Sequence, residues 1–221
     1  MKQLIPSSKK SEEVLQLKGK TTHTFPESLI SEQYRSIRTN IQFINGVKKN
    51  QSILITSPGR KEGKSITAAN LAISLAQQKE RVLLIDTNLI KPSLHSIFGI
   101  DNTTGLTDVL NGKLSLEEAV TGTEIGRLEV LPSGSIPFNS SELLGSIMMY
   151  ELVAKALKLY NVVLIDSNSF LELSGTKILA SMCDGVILVV KSGKTDTKKA
   201  IETKRLLNLA KAKIIGVVLN N

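Results

Sequence analysis

Cysteine is almost absent. Cys183 is the only one in 221 residues, so no intrachain disulfide can staple the fold. It lies in an apolar stretch and reads as a small buried hydrophobe, not a reactive thiol. Tryptophan is missing and aromatics make up 4% of the chain. A stacking platform for single-stranded nucleic acid needs interleaved aromatics, so no nucleic-acid partner is expected. The two histidines, His23 and His95, stand apart, and no Cys, His or carboxylate cluster has metal-ligand spacing. That argues against a structural zinc. No apolar run reaches the roughly 20 residues that a membrane span requires. Met1–Lys20 is polar and lacks the apolar centre of a secretory signal, so a cytoplasmic location is expected.

Acidic residues are also in deficit, 20 against 28 lysines and arginines, for a net charge of +8. Such a balance favours an anionic lipid surface, nucleic acid or an acidic protein. The lysines are dispersed and read mainly as solvated faces, with a bias towards the inner membrane surface.

What is present is an ordinary globular balance, 41% hydrophobic and 22% charged, of a length that suits one α/β domain. Residues 1–26 are rich in Ser, Lys and Thr and read as a flexible arm. A helix is predicted over 27–46, with Glu27 in its first turn and Asn45–Gly46 as its stop. Residues 27–221 then form a single domain. From Gln51 on, short Val/Ile/Leu runs alternate with helical segments. The runs are Ser52–Thr56, Val82–Asp86, Leu128–Leu131, Val162–Asp166, Val186–Val190 and Ile214–Leu219. They are nearly continuous, as in strands buried on both faces. Helices are predicted at Lys64–Gln78, Ser141–Leu159, Ser174–Met182 and Thr195–Ala210, with short ones near Leu106–Leu110 and Leu116–Val120. The fold class is α/β, a doubly wound and mostly parallel sheet with helices on both faces.

Ser57-Pro-Gly-Arg-Lys-Glu-Gly-Lys-Ser65 follows the first strand and opens a helix. Strand, loop, Gly-Lys-Ser and helix stand in the order of a P-loop. Successive backbone N–H groups and the helix start make an anion site. Gly59, Arg60, Lys61, Glu62, Gly63, Lys64, Ser65 and Ile66 are therefore candidate nucleotide-binding residues, with ATP and Mg2+ as cofactors. Gly63 lets the backbone approach a phosphate, Lys64 carries a charge to the outer phosphates, and the Ser65 hydroxyl suits magnesium. Pro58 holds the usual first glycine position. Lys61 stands where a second glycine is common, and a bulky residue there needs an uncommon backbone conformation.

Two predicted strands end in aspartate, Arg81–Asp86 and Asn161–Asp166. In an open α/β sheet both lie on the rim that carries the phosphate loop. Asp166 suits the metal side and Asp86 the nucleophile side, and Ser65, Asp86 and Asp166 are the candidate metal ligands. Singly, an aspartate after a strand is more often a turn former or helix cap.

With these motifs in place, the chain resembles the bacterial tyrosine kinases of capsular and exopolysaccharide biosynthesis, relatives of the MinD/ParA-like ATPases. The resemblance runs over Glu32–Asn220 and rests on Leu83–His95, Leu131–Pro137, Ser141–Leu144 and Gly216–Asn220. It implies an ATP-dependent protein-tyrosine kinase with Lys64, Asp86, Asn88 and Asp166 in the catalytic set, and Asn220 against the adenine. It also implies a membrane adaptor of the polysaccharide co-polymerase type, which would keep the chain at the inner face of the membrane. Glu32, Arg35 and Arg38 match an E-x-x-R-x-x-R motif of a homo-oligomer, in some members a ring, and their spacing puts them on roughly one helix face.

The departures from the family pattern are Asn88 in place of a second aspartate, Ser167-Asn-Ser169 after Asp166 in place of Thr-Pro-Pro, and Lys61 in the loop. The tyrosine-rich tail has no counterpart up to Asn221, and the tyrosines are Tyr34, Tyr150 and Tyr160. Three functions follow in order. The first is the kinase and the second an ATP-binding scaffold with weak phosphoryl transfer. The third is a MinD/ParA-like positioning ATPase, which would carry a signature lysine where Gly59 stands.

Overall fold

The computed structural model describes residues 28–45 and 50–221. The predicted arm 1–26 and the outer ends of the predicted helix 27–46 lie outside the described residues.

The chain order is α1 (Leu29–Asn45), β1 (Gln51–Thr56), α2 (Lys64–Gln77), β2 (Val82–Asp86), α3 (Leu94–Phe98), α4 (Leu106–Leu110), α5 (Leu116–Ala119), β3 (Thr121–Gly122) and β4 (Leu128–Leu131). Then follow α6 (Ser140–Leu144), α7 (Ile147–Leu159), β5 (Val162–Asp166), α8 (Ser174–Met182), β6 (Gly185–Lys191), α9 (Thr197–Leu209) and β7 (Ile214–Asn220). The sheet order is β3-β4-β2-β5-β1-β6-β7, parallel throughout except for the two-residue edge strand β3.

Every residue of β1, β2 and β5 is buried, as strands centred on Ile53–Ile55, Val82–Ile85 and Val162–Ile165 in the middle of a parallel sheet are. Alternate residues supply two cores. Ile53, Ile55, Leu84 and Leu164 face α1, α2 and α3, while Leu54, Ile85, Ile165 and Leu188 face α4 to α9. Helix α2 is itself almost wholly enclosed, because α1 lies over its outer side. Its Ala68, Ala69, Ala72 and Ala76 let sheet and helix come close.

The predicted helix Ser141–Leu159 is two helices. Gly145 closes α6, its N–H reaching Ser141 O at 3.2 Å and Glu142 O at 3.1 Å. Ser146 then takes an extended conformation as the N-cap of α7. A Cβ on Gly145 would stand 2.8 Å from Ile178 Cδ1, so the break also lets α6 sit against α8. Helix α9 starts two residues later than predicted, because the Asp196 carboxylate caps it by accepting the Lys198 N–H. Helix α3 and strand β3 were not anticipated; both are too short to show a period.

Candidate nucleotide site

The phosphate loop runs from the end of β1 into α2, at the carboxyl rim of the central strands. Lys61 takes φ 57° and Gly63 φ 94°, both left-handed, which curl the loop into a cradle. The expected backbone cost at Lys61 is thus present, on the order of 1–2 kcal/mol. At Gly63 there is a second demand: a Cβ would lie 2.1 Å from Asn220 Nδ2. That amide, at the end of β7, donates to Glu62 O at 3.0 Å. Asn220 therefore braces the back of the loop.

Two other segments, Lys194–Thr195 and Glu172, tie the loop down. The buried Glu62 carboxylate accepts the Gly59 N–H at 3.0 Å and the Thr195 hydroxyl at 2.7 Å. Lys194 Nζ donates to Lys61 O at 3.2 Å, and Arg60 pairs with Glu172 at 2.7 Å. Lys64 is buried with its ammonium turned back on Gly59 O at 3.5 Å. Burial lowers its pKa, with Asp166 the strongest of the opposing charges. Ser65 and Ile66 form the first turn of α2, Ile66 packing on the core beneath.

Asp86 and Asp166 are register partners on neighbouring strands, both fully buried. Their surroundings differ. The Asp86 carboxylate accepts N–H groups from Asn88 at 3.0 Å, Ser93 at 3.0 Å and Leu94 at 3.1 Å. It closes the turn after β2 and caps α3. Asn88 continues the same turn, its Oδ1 accepting the Lys91 N–H at 3.2 Å. Neither oxygen of Asp166 has a hydrogen-bond partner of normal geometry, although the Ser65 hydroxyl lies towards it. Burial raises the pKa of both carboxyls; the charge of Asp86 pushes Asp166 further up, with Ser65 and Lys64 opposing.

The segment after Asp166 is fixed by hydrogen bonds. Ser167 Oγ donates to Ile55 O at 3.0 Å, Thr56 Oγ1 to Asn168 O at 2.9 Å, and the Phe170 N–H to Ser57 O at 2.8 Å. Thr87 binds the Asp166 carbonyl through N–H and hydroxyl, at 2.9 and 2.7 Å. Glu62, a candidate nucleotide-binding residue of the loop, serves here as its internal brace. Thr195 and Thr87 have no motif to mark them.

One expectation is corrected. Arg38 does not stand on an outer face ready for a neighbouring subunit. It is buried and donates to Ser74 O at 2.6 Å and to Ser74 Oγ at 3.2 Å, locking α1 onto α2. Its placement follows from α1 lying over α2, which turns that side of the helix inward. Glu32 and Arg35 pair with each other on the exposed side.

A buried carboxylate with no donor is costly unless a cation meets it. The free oxygens of Asp166, the Ser65 hydroxyl and the loop amides fit a hard cation held with a polyphosphate. This is the architecture of a P-loop nucleotide-binding domain. A family model described as an AAA domain matches residues 58–211. The tyrosine-protein kinase YwqD of Bacillus subtilis (strain 168) is 46% identical over 197 residues, 89% of this chain and 83% of its own. The putative tyrosine-protein kinase CapB of Staphylococcus aureus is 34% identical over 198 residues, 90% of this chain and 87% of its own. Among solved structures, the chimerical protein CapA2B2 superposes with TM-score 0.86 at 37% identity, over 90% of this chain and 88% of that one. The chain belongs to the family of bacterial tyrosine kinases of capsular and exopolysaccharide biosynthesis. MinD of Pyrococcus horikoshii OT3, solved with Mg-ADP, shares 25% identity at TM-score 0.65, over 77% of this chain and 70% of that one. No helix among the described residues is long and apolar enough to cross a membrane.

Proposed function

We propose that the chain is an ATP-dependent protein-tyrosine kinase that regulates polysaccharide synthesis or export. The observation that carries this is the only partly offset carboxylate of Asp166, set beside Lys64 and Ser65 at the open rim of the sheet. ATP would bind with its phosphates against the amides from Gly59 to Ser65. Lys64 would leave the Gly59 carbonyl for the outer phosphates, and Ser65 and Asp166 would hold Mg2+. When bound, that cation would supply neutralisation of charge on the transferred phosphoryl group. Asp86, raised by burial towards neutrality and with one lone pair of Oδ1 uncommitted, would orient the acceptor hydroxyl and take its proton. The γ-phosphoryl then passes to the tyrosine oxygen, and ADP leaves. Asn220 would reach the base from behind the loop.

The family resemblance supports a membrane adaptor as activating partner and a homo-oligomer. With Arg38 turned inward, Glu32 and Arg35 are the groups left to meet a neighbouring copy. Among the described residues, Tyr160 is buried against Glu129 and Tyr34 packs on the core, while Tyr150 is exposed.

A second reading, an ATP-binding scaffold, is favoured by Asn88. Its side chain closes a turn and brings no charge to the rim. Titration with ATP and Mg2+, followed by transfer of labelled γ-phosphate to a tyrosine peptide in the presence of the adaptor's cytoplasmic segment, separates the two. Binding with transfer supports the kinase, and binding without transfer the scaffold. Lys64→Met is expected to abolish the binding heat; full binding by that variant would contradict both.

A further inference from the structure

The segment from Lys191 to Lys213 holds eight lysines and arginines against two acids, Asp196 and Glu202. Those 23 residues therefore carry a net +6 of the chain's +8. Both acids are engaged within the segment, Glu202 offsetting Arg205 and leaving Lys198, Lys199 and Lys204 as the helix's net charge. Asp196 caps α9 through the Lys198 N–H, and Glu202 is paired with Arg205 at 2.7 Å. Helix α9 itself carries Lys198, Lys199, Lys204 and Arg205 against Glu202, and Lys191, Lys194, Lys211 and Lys213 flank its two ends.

Helix α9 turns Thr203 and Leu207 into the core. Its opposite side presents Lys198, Ile201, Arg205 and Leu209, and Lys204 is exposed on the flank. Residues 198, 201 and 205 are three and four apart, hence neighbours on the helix surface. Ile201 is 64% and Leu209 66% exposed, large aliphatics standing among cations. An anionic lipid surface satisfies both features. Its headgroups meet the ammonium and guanidinium groups, and the boundary with the acyl layer takes up Ile201 and Leu209. The aliphatic stems of the lysines let their charges stay at headgroup level while the stems enter the apolar zone. Nucleic acid fits less well. The segment contains no aromatic to stack on a base, and phosphate contacts would leave both aliphatics uncovered.

We propose that the exposed face of α9 docks directly on an anionic lipid surface, with the basic residues around Ile201 as its contact. The proposal does not rest on phosphoryl transfer, and it is separate from any adaptor.

The test is co-sedimentation of the full chain with phosphatidylcholine vesicles and with vesicles containing phosphatidylglycerol. Binding is expected only to the second, weakening as salt rises. The triple variant Lys198→Gln, Lys204→Gln, Arg205→Gln is expected to lose about tenfold or more in partitioning. A control triple at the exposed Lys79, Lys113 and Lys158 is expected to stay within about twofold. The ATP-binding heat serves as a fold check on both; where the triple fails it, Lys204→Gln alone is read, with an expected loss of roughly threefold or more. Absence of phosphatidylglycerol-dependent binding at low salt would overturn the proposal, as would equal loss in the control. Duplex DNA stripping the chain from vesicles, with DNA binding also lost in the α9 triple, would assign the face to nucleic acid instead.

Discussion

Two strand ends with nearly the same sequence, Val-Leu-Leu-Ile-Asp86 and Val-Val-Leu-Ile-Asp166, lie side by side and are wired in opposite ways. After Asp86 the chain turns back and offers three backbone N–H groups to the carboxylate. After Asp166 the chain is drawn towards β1 by Ser167, Asn168 and Phe170, and the carboxylate receives none. One aspartate is mainly an internal part of the fold and the other a stored demand for a cation. A buried acid is therefore read by its donors, and a donor-less one beside a phosphate loop marks the ligand.

The largest expected effects come from exchanging these roles. Asp166→Asn removes a buried charge that Lys64 and the Ser65 hydroxyl offset only in part. It is expected to lower phosphoryl transfer by about a hundredfold or more, yet to stabilise the nucleotide-free chain by about 1–3 kcal/mol. At this size each kcal/mol moves the melting temperature by roughly 2–4 °C. Asp86→Asn has the opposite sign in stability. An amide placed towards the Ser93 and Leu94 N–H groups loses acceptors, and a destabilisation of about 2–3 kcal/mol is expected in a thermal melt. Two variants shifting in the same direction would break the comparison.

A smaller effect is expected in the loop. Glu62→Gln takes a negative charge away from the cradle amide of Gly59 while keeping an acceptor for it. ATP affinity measured by titration is expected to rise about three- to tenfold, because a like charge several ångströms from the phosphates is worth about 1 kcal/mol in a partly screened site. The smallest is Asn88→Asp. Asn88 already accepts the Lys91 N–H as a carboxylate would, so the turn is unchanged and turnover is expected to rise about threefold or less. A far larger rise would show that the Asp86 side of the rim, not the Asp166 side, limits the reaction.

Much of this was legible in the sequence. Fully buried strands give unbroken apolar runs, so β2 and β5 were found to the residue, as was α8. The P-loop was equally visible, since Gly-Lys-Ser between a strand and a helix has few other uses; the two acidic ends were visible as positions, but their different roles were not. The split between α6 and α7 had a signal in Gly145-Ser146, a stop followed by a cap, which the strong apolar period across it concealed. The inward turn of Arg38 had none. Spacing of three defines a face, and only the position of α2 decides which way that face looks. The same holds for Asp86, whose donors at Ser93 and Leu94 come from a helix too short to show a period.

The central claim is that the charge of Asp166, only partly offset by Lys64 and Ser65, is met by nucleotide-bound magnesium. Burial raises its pKa, so its ionisation opposes folding, and the penalty appears as pH rises above the ordinary carboxylate value of about 4. Melting temperatures of the native chain and Asp166→Asn, followed from pH 4 to pH 8 in chelator and again with saturating Mg-ATP, test this directly. In chelator the two are expected to melt together near pH 4, with the variant gaining an advantage as pH rises; with Mg-ATP the native chain is expected to melt higher. A native chain that is the more stable at neutral pH in chelator, or a difference indifferent to pH, would contradict the account.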